Sequence, residues 1–242
     1  MERAIETFVR GYCFTRSFTH PYVAGKAGPL WVLRDGPRKR GDARREEFVS
    51  YGVEPMRAHR LVAKHARGHY CICVLHDLDE DGLDLRDDFK DLGYRLGHSE
   101  FMMVHNLKRI PRVPAPLSIR RVDTEAMADR LAKVARSRQI LPEHLGKDAP
   151  QRSYVALDGE LPVGWVSSIV TGDTTWCANM YVKPEFRRRG IARSLMCRML
   201  RDDRSGGASM AVLLASHAGA KLYPVVGYRQ IGTLMVFTPK RG

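Results

Sequence analysis

The sequence predicts an α/β fold built as two related halves, and three observations predict it. Apolar runs of strand length alternate with stretches of helical period through the second half, in the order β, α, α, β, β, β, α, β, α, β. Phe89-x-x-x-Gly93-Tyr94-Arg95, followed by Phe101-Met102-Met103-Val104, recurs at a constant offset as Tyr223-x-x-x-Gly227-Tyr228-Arg229 with Met235-Val236-Phe237. The stretch Met180 to Ala192 runs from an apolar strand through a basic, glycine-containing turn into an amphipathic helix.

The elements follow in order. A short helix is expected over residues 2 to 10, and Leu30-Trp31-Val32-Leu33 reads as a buried strand. Arg38 to Ala43 has the spacing Arg-x-x-Gly-x-Ala and reads as a solvated charged loop followed by a helix ending near Gly52. Pro55 to Ala66 is a helix and Tyr70 to Leu75 a strand. Asp77 to Asp88 partly fits a calcium loop, but a strand precedes it and Asp88 stands where a bidentate Glu belongs. Extending the repeat upstream pairs Trp31 with Trp176 and Pro37 with Pro184, with loops lost or inserted between.

Ile110 to Pro116 is a proline-rich connector. It divides an N-terminal domain, 1–110, from a linker, 111–116, and a C-terminal domain, 117–242. There Leu117 to Val122 is a strand, and Asp123 or Thr124 caps a helix reaching about Ser137. Tyr154 to Leu157 and Pro162 to Val170 form a hairpin about Asp158-Gly159. Thr174 to Val182 is the strand entering the basic turn, and the helix beyond it runs to about Arg204. Strands at Ser209 to Ala215 and Tyr228 to Thr238 enclose a short helix. The turn is a phosphate cradle: unpaired N–H groups and the positive end of the helix dipole face an anion. Gly190 and Ala192 are small enough to let it approach the backbone.

At Arg187-x-x-Gly190-x-Ala192, after a strand carrying Val182 and Pro184, the sequence resembles the GNAT superfamily of N-acetyltransferases. A second family element, Ala218 to Tyr223 leading to Gly227-Tyr228, lies at the expected distance downstream. The resemblance implies the GNAT acyl-CoA N-acyltransferase fold, a mixed central sheet flanked by helices, with the N-terminal half a shortened, degenerate copy. Phe89 stands there in place of Tyr223, so that half should be catalytically silent.

The resemblance also implies a reaction, acetyl transfer from acetyl-CoA to a primary amine by direct attack in a ternary complex. It assigns Met180, Tyr181 and Val182 to the pantetheine arm, with the Met180 N–H aimed at the acetyl carbonyl. Arg187, Arg188, Arg189, Gly190, Ile191 and Ala192 hold the pyrophosphate, and Ser216 reaches the coenzyme where many members carry Asn. Tyr223 matches the family's general acid. Pro224 directly after it departs from the pattern and puts the aim of Tyr223 in question; the alternative is a non-catalytic acyl-CoA-binding regulatory module. Asp173, Glu143 and His144 are candidate bases, each equally readable as a surface residue.

Bulk properties bound the rest. The 242 residues are 44% apolar, enough for a core, and no run is long enough to span a bilayer. Five cysteines without paired spacing argue against a disulfide framework and for the cytoplasm. Cys71 and Cys73 face one side of a strand, and Cys197 reads as a helix-surface residue. The net charge of +13 is concentrated in the C-terminal half, where a diphosphate ligand accounts for the densest cluster. No nucleic-acid-binding motif is present, no metal is called for, and a homodimer is left open.

Overall fold

The computed structural model describes residues 1–39, 41–78, 82–146 and 148–240. It is a mixed α/β fold in which helices flank mixed sheet. Two compact units make up the chain, one of Met1–Met103, Leu214–Ala218 and Gln230–Gly242, the other of Val104–Leu213 and Gly219–Arg229. No helix among the described residues is long and apolar enough to cross a membrane.

The first unit opens with α1 (Glu2–Arg16), which outruns the expected short helix because Ala4, Ile5, Phe8, Val9 and Cys13 carry one buried stripe through the aromatics. Strands β1 (Tyr22–Ala27), β2 (Leu30–Asp35) and β3 (Glu46–Tyr51) form an antiparallel meander. The segment before Gly52 was expected to be helical and is instead β3. Glu46 and Glu47 disguise the strand: both are buried, and their carboxyl groups find polar partners distant in sequence. Arg34 lies 3.4 Å from Glu46, while Tyr12 Oη, 3.1 Å away, and Tyr22 Oη donate to Glu47. The Arg38 to Ala43 segment therefore joins two strands, with Arg40 outside the described residues. The upstream pairing of the repeat is corrected with it, because Trp31 lies on the second strand of its meander and Trp176 on the third of the other.

Helix α2 (Pro55–His65) takes its proline at the first turn and crosses to β4 (Tyr70–Asp77), which lies parallel to β3. Helix α3 (Gly82–Asp91) and strand β5 (Tyr94–His105) follow. The partial calcium-loop pattern includes Asp79, Glu80 and Asp81, which lie outside the described residues; among those described, no group of three His, Cys, Asp or Glu could hold a metal.

The second unit repeats this plan. After β6 (Ser118–Arg121) and α4 (Glu125–Ala135), capped by the Thr124 hydroxyl, come the antiparallel β7 (Gln151–Asp158), β8 (Leu161–Thr171) and β9 (Thr174–Val182). Helix α5 (Ile191–Ser205) then crosses to β10 (Met210–Ala215), parallel to β9. Leu195, Met196, Met199 and Leu200 of α5 are wholly buried. So is Cys197, whose thiol burial pushes upward in pKa; it is a core residue rather than a surface one. The sheet of this unit runs β10-β9-β8-β7-β6.

The last strand, β11 (Arg229–Pro239), packs in the first unit. It lies antiparallel to β4, Phe237 opposite Ile72 and Met235 opposite Val74, and completes the order β1-β2-β3-β4-β11-β5. Phe237 stacks on Phe89 at 4.4 Å in the core of that unit. Gly232 permits the pairing, since a Cβ there would stand 2.5 Å from the His76 carbonyl oxygen.

Candidate active site

Strand β9 changes character half-way. Its register with β10 runs from Thr174–Met210 to Trp176–Val212, while β9 itself continues to Val182. Its register with β8 shifts between Trp165–Tyr181 and Ser167–Ala178, so that β9 carries one residue more than its partner there. Asn179 takes the strain, at φ 56°, a left-handed conformation that Asn tolerates better than most residues. A bulge of this kind bends the strand and frees backbone groups from the ladder beside it, here at Met180. An Asn in an otherwise strand-forming run was the one sequence signal for it.

Beyond Val182, Pro184–Phe186 makes a single 3-10 turn and the chain reverses through Arg188 at φ 60° and Gly190 at φ 80°. The Arg187 guanidinium donates to the Val182 carbonyl at 2.9 Å and lies 5.7 Å from the Tyr181 ring, fixing the turn against the strand end. Arg188 and Arg189 are exposed. Gly190 is the N-cap of α5, and no side chain caps the helix. A Cβ at Gly190 would meet nothing within 4 Å, so the backbone of the first turn faces open space. An anion at that N-terminus meets the amides and dipole of a helix of 15 residues. In the first unit the equivalent strand-to-helix link is only Gly52 to Glu54, with Glu54 at the N-cap, where a carboxylate opposes an anion.

On the other side of the bulge is a cavity of about 720 Å³, lined among others by Arg136, Gln139, Trp165, Asn179, Lys183 and Glu185. Arg136 ends α4 at φ 55°, so two of the four described non-glycine residues with positive φ border this one space. Such strain concentrates at functional sites. Trp165 and Tyr181 stack at 4.7 Å and form its apolar wall.

Tyr223 is buried, 8% exposed, at the entrance to a 3-10 turn, Pro224–Val226. The expected short helix is broken into this turn and another at Gly219–Lys221, because Pro224 has no N–H to continue a helix. The Tyr223 carbonyl accepts from the Val226 and Tyr228 amides at 3.2 and 3.1 Å. His105 holds the turn from behind: its Nδ1 accepts from the Leu107 amide at 2.8 Å, leaving Nε2 protonated to donate to the Val226 carbonyl at 3.1 Å. Burial lowers the His105 pKa and keeps the ring neutral. Gly227, at φ 104°, lets the ring in, since a Cβ there would stand 2.7 Å from Nε2. Sequence reasoning passed over His105 because Val226, the residue it ties to the turn, lies more than a hundred residues away.

Ser216 is exposed and belongs to the first unit, unlike the other expected site residues. Asp173, a candidate base, sits in the β8–β9 turn accepting from Ser209 Oγ at 3.0 Å, about 23 Å along the strand from Met180. Glu143 and His144 occupy the 3-10 turn Pro142–His144 and are not among the residues lining the cavity. Asp203 anchors α5 instead: wholly buried, it accepts from Arg152 at 2.7 Å, Ser168 at 2.7 Å and Thr175 at 2.9 Å.

Residues 149–230 match the family model described as an acetyltransferase (GNAT) domain. Over these residues the chain is similar to GNAT acetyltransferase domains. The matched segment holds the bulge, the cradle, α5 and Tyr223. Among solved structures, a GCN5-related N-acetyltransferase from Kribbella flavida is 16% identical across 99% of this chain and 96% of its own, with a TM-score of 0.69. A GCN5-related N-acetyltransferase from Sphaerobacter thermophilus is 17% identical across 86% and 76%, TM-score 0.57. A tandem GNAT protein from the clavulanic acid biosynthesis pathway is 13% identical across 88% and 79%, TM-score 0.55. At these identities the likeness to the GNAT structures is one of fold. No curated protein matches the sequence.

Proposed function

We propose that the second unit transfers an acetyl group from acetyl-CoA to a primary amine by direct attack in a ternary complex. The observation that carries this reading is the continuous run of bulge, arginine turn and uncapped helix from Asn179 to Ala192. The amides of Arg188 to Ala192, with the charges of Arg187 to Arg189, hold the pyrophosphate. Met180 to Val182 align the pantetheine, and the Met180 N–H polarises the thioester carbonyl. The amine enters the cavity beside Trp165, where Arg136 and Lys183 outnumber Glu185. Neighbouring cations disfavour an ammonium and so supply neutral amine without a dedicated base. As nitrogen bonds to the acyl carbon and the carbon–sulfur bond breaks, Tyr223 protonates the thiolate. From a phenol near pKa 10 to a thiol near 8.5 that transfer is uphill by about 1.5 pKa units, and it is completed as the acylated nitrogen gives up its proton to solvent and the tyrosinate is reprotonated. The five free cysteines fit a reducing compartment, the cytoplasm.

Titration calorimetry with acetyl-CoA tests the cradle: saturable binding is expected, abolished in Gly190→Glu. Thiol release across a panel of amines, with Tyr223→Phe as control, tests the chemistry. A second reading, a non-catalytic acyl-CoA-binding regulatory module, draws on Pro224, which breaks the helix at Tyr223. Tight coenzyme binding without thiol release for any amine would favour it.

A further inference from the structure

The segment Lys108 to Arg112, which leads into the proline-rich connector, does more than join elements. It lies along the C-terminal half of α5, held where Arg201 donates to the Pro111 carbonyl at 3.2 Å, and borders an open cavity of about 460 Å³. Five cations line it, Lys108, Arg109, Arg112, Arg201 and Arg204, and no carboxylate does. None of the five has an ion-pair partner among the described residues, although Arg10, Arg34, Arg44, Arg130, Arg152 and Arg198 all do. The helix dipole explains a cation at Arg204, in the last turn of α5. It does not explain three more brought against that turn by the connector. Arginines do not escape mutual repulsion by losing protons, so the cluster maintains a focused positive potential.

We propose that this cavity is a second anion site, which takes a small molecule bearing two or more phosphate groups. Four of the five cations are arginines, whose planar forks match phosphate oxygens in pairs. The volume suits a di- or triphosphate group. The site is distinct from the cradle: Arg201 and Arg204 lie about 15 to 20 Å along α5 from Ile191, at 1.5 Å per residue. It rests on geometry alone and is independent of the acetyl-transfer reading.

The test is calorimetric titration of the full chain with inorganic tripolyphosphate at physiological salt, with saturating coenzyme A present to fill the cradle. One saturable site is expected. Arg112→Gln with Arg204→Gln should weaken it by roughly tenfold per arginine, as lost charged hydrogen bonds do, and leave coenzyme A affinity unchanged. Arg188→Gln with Arg189→Gln should show the converse. Tripolyphosphate binding that survives the Arg112/Arg204 variant, or that is lost only with Arg188/Arg189, overturns the proposal. So does single-stranded RNA binding more tightly than tripolyphosphate and losing affinity in the same variant, because the surface is then a nucleic-acid track.

Discussion

Glu47→Gln should make the protein more stable at neutral and alkaline pH and leave it almost unchanged in acid. Glu47 lies on β3 and is 5% exposed. Burial raises its pKa to about 7, and neither Arg16, 3.9 Å away, nor the Tyr12 hydroxyl, both of which lower it, offsets that burial. The hydrogen bonding agrees. Tyr22 Oη has a single proton and three acceptors around it, the carbonyls of Leu33 and Arg45 and the Glu47 carboxyl. A protonated Glu47 can donate to Tyr22, freeing the Tyr22 proton for a carbonyl. The sign follows: between the unfolded pKa of 4.5 and the folded value near 7 the native state holds a proton that the unfolded chain has lost, so stability falls as pH rises through that window. At about 1.4 kcal/mol per pKa unit, the loss by pH 8 is about 3 kcal/mol. Glutamine mimics the protonated acid, donating to Tyr22 and accepting from Tyr12. Urea unfolding at pH 5 and pH 8 should show the variant's advantage growing by about 2 to 3 kcal/mol, less what glutamine loses in fit. A constant difference, or one that shrinks with pH, would refute the protonated-carboxyl account.

Three further outcomes are expected. Asp203→Ala strands Arg152, 13% exposed in its side chain, and the Ser168 and Thr175 hydroxyls; urea denaturation should show a loss of about 3 to 5 kcal/mol, the cost of breaking a buried ion pair. Gly190→Ala should cost about 1 to 2 kcal/mol in thermal unfolding, from the left-handed backbone rather than a clash, and Gly190→Asn less. His105→Leu removes the acceptor for Leu107 and the donor for Val226, so stability should fall by about 1 to 3 kcal/mol. Thiol release should slow in kcat more than in KM for acetyl-CoA as the turn behind Tyr223 loosens.

How far each feature was legible depends on how local its cause is. Helix α5 shows in the spacing of Ile191, Leu195 and Met199, and the β7–β8 hairpin in Asp158-Gly159, because periodicity and turn chemistry act over a few residues. Strand β3 was misread because two adjacent glutamates look solvated until Arg34, Tyr12 and Tyr22 are brought to them. The connector read as a spacer because the arginines of α5 that complete its cavity lie some ninety residues on. His105 looked ordinary for the same reason.

By itself the sequence determined the order of elements in the second half, the arginine turn and its family resemblance, and the repeat of Phe89 and Tyr223, all encoded in short windows of side-chain size, charge and backbone freedom. Only the tertiary structure decided that the final strand packs against β4, that Asn179 is the residue that bulges, and that five unpaired cations meet around the connector. Those features depend on which distant segments share a ladder or a cavity, and pairing partners are selected by burial and charge across the folded chain rather than by any local preference.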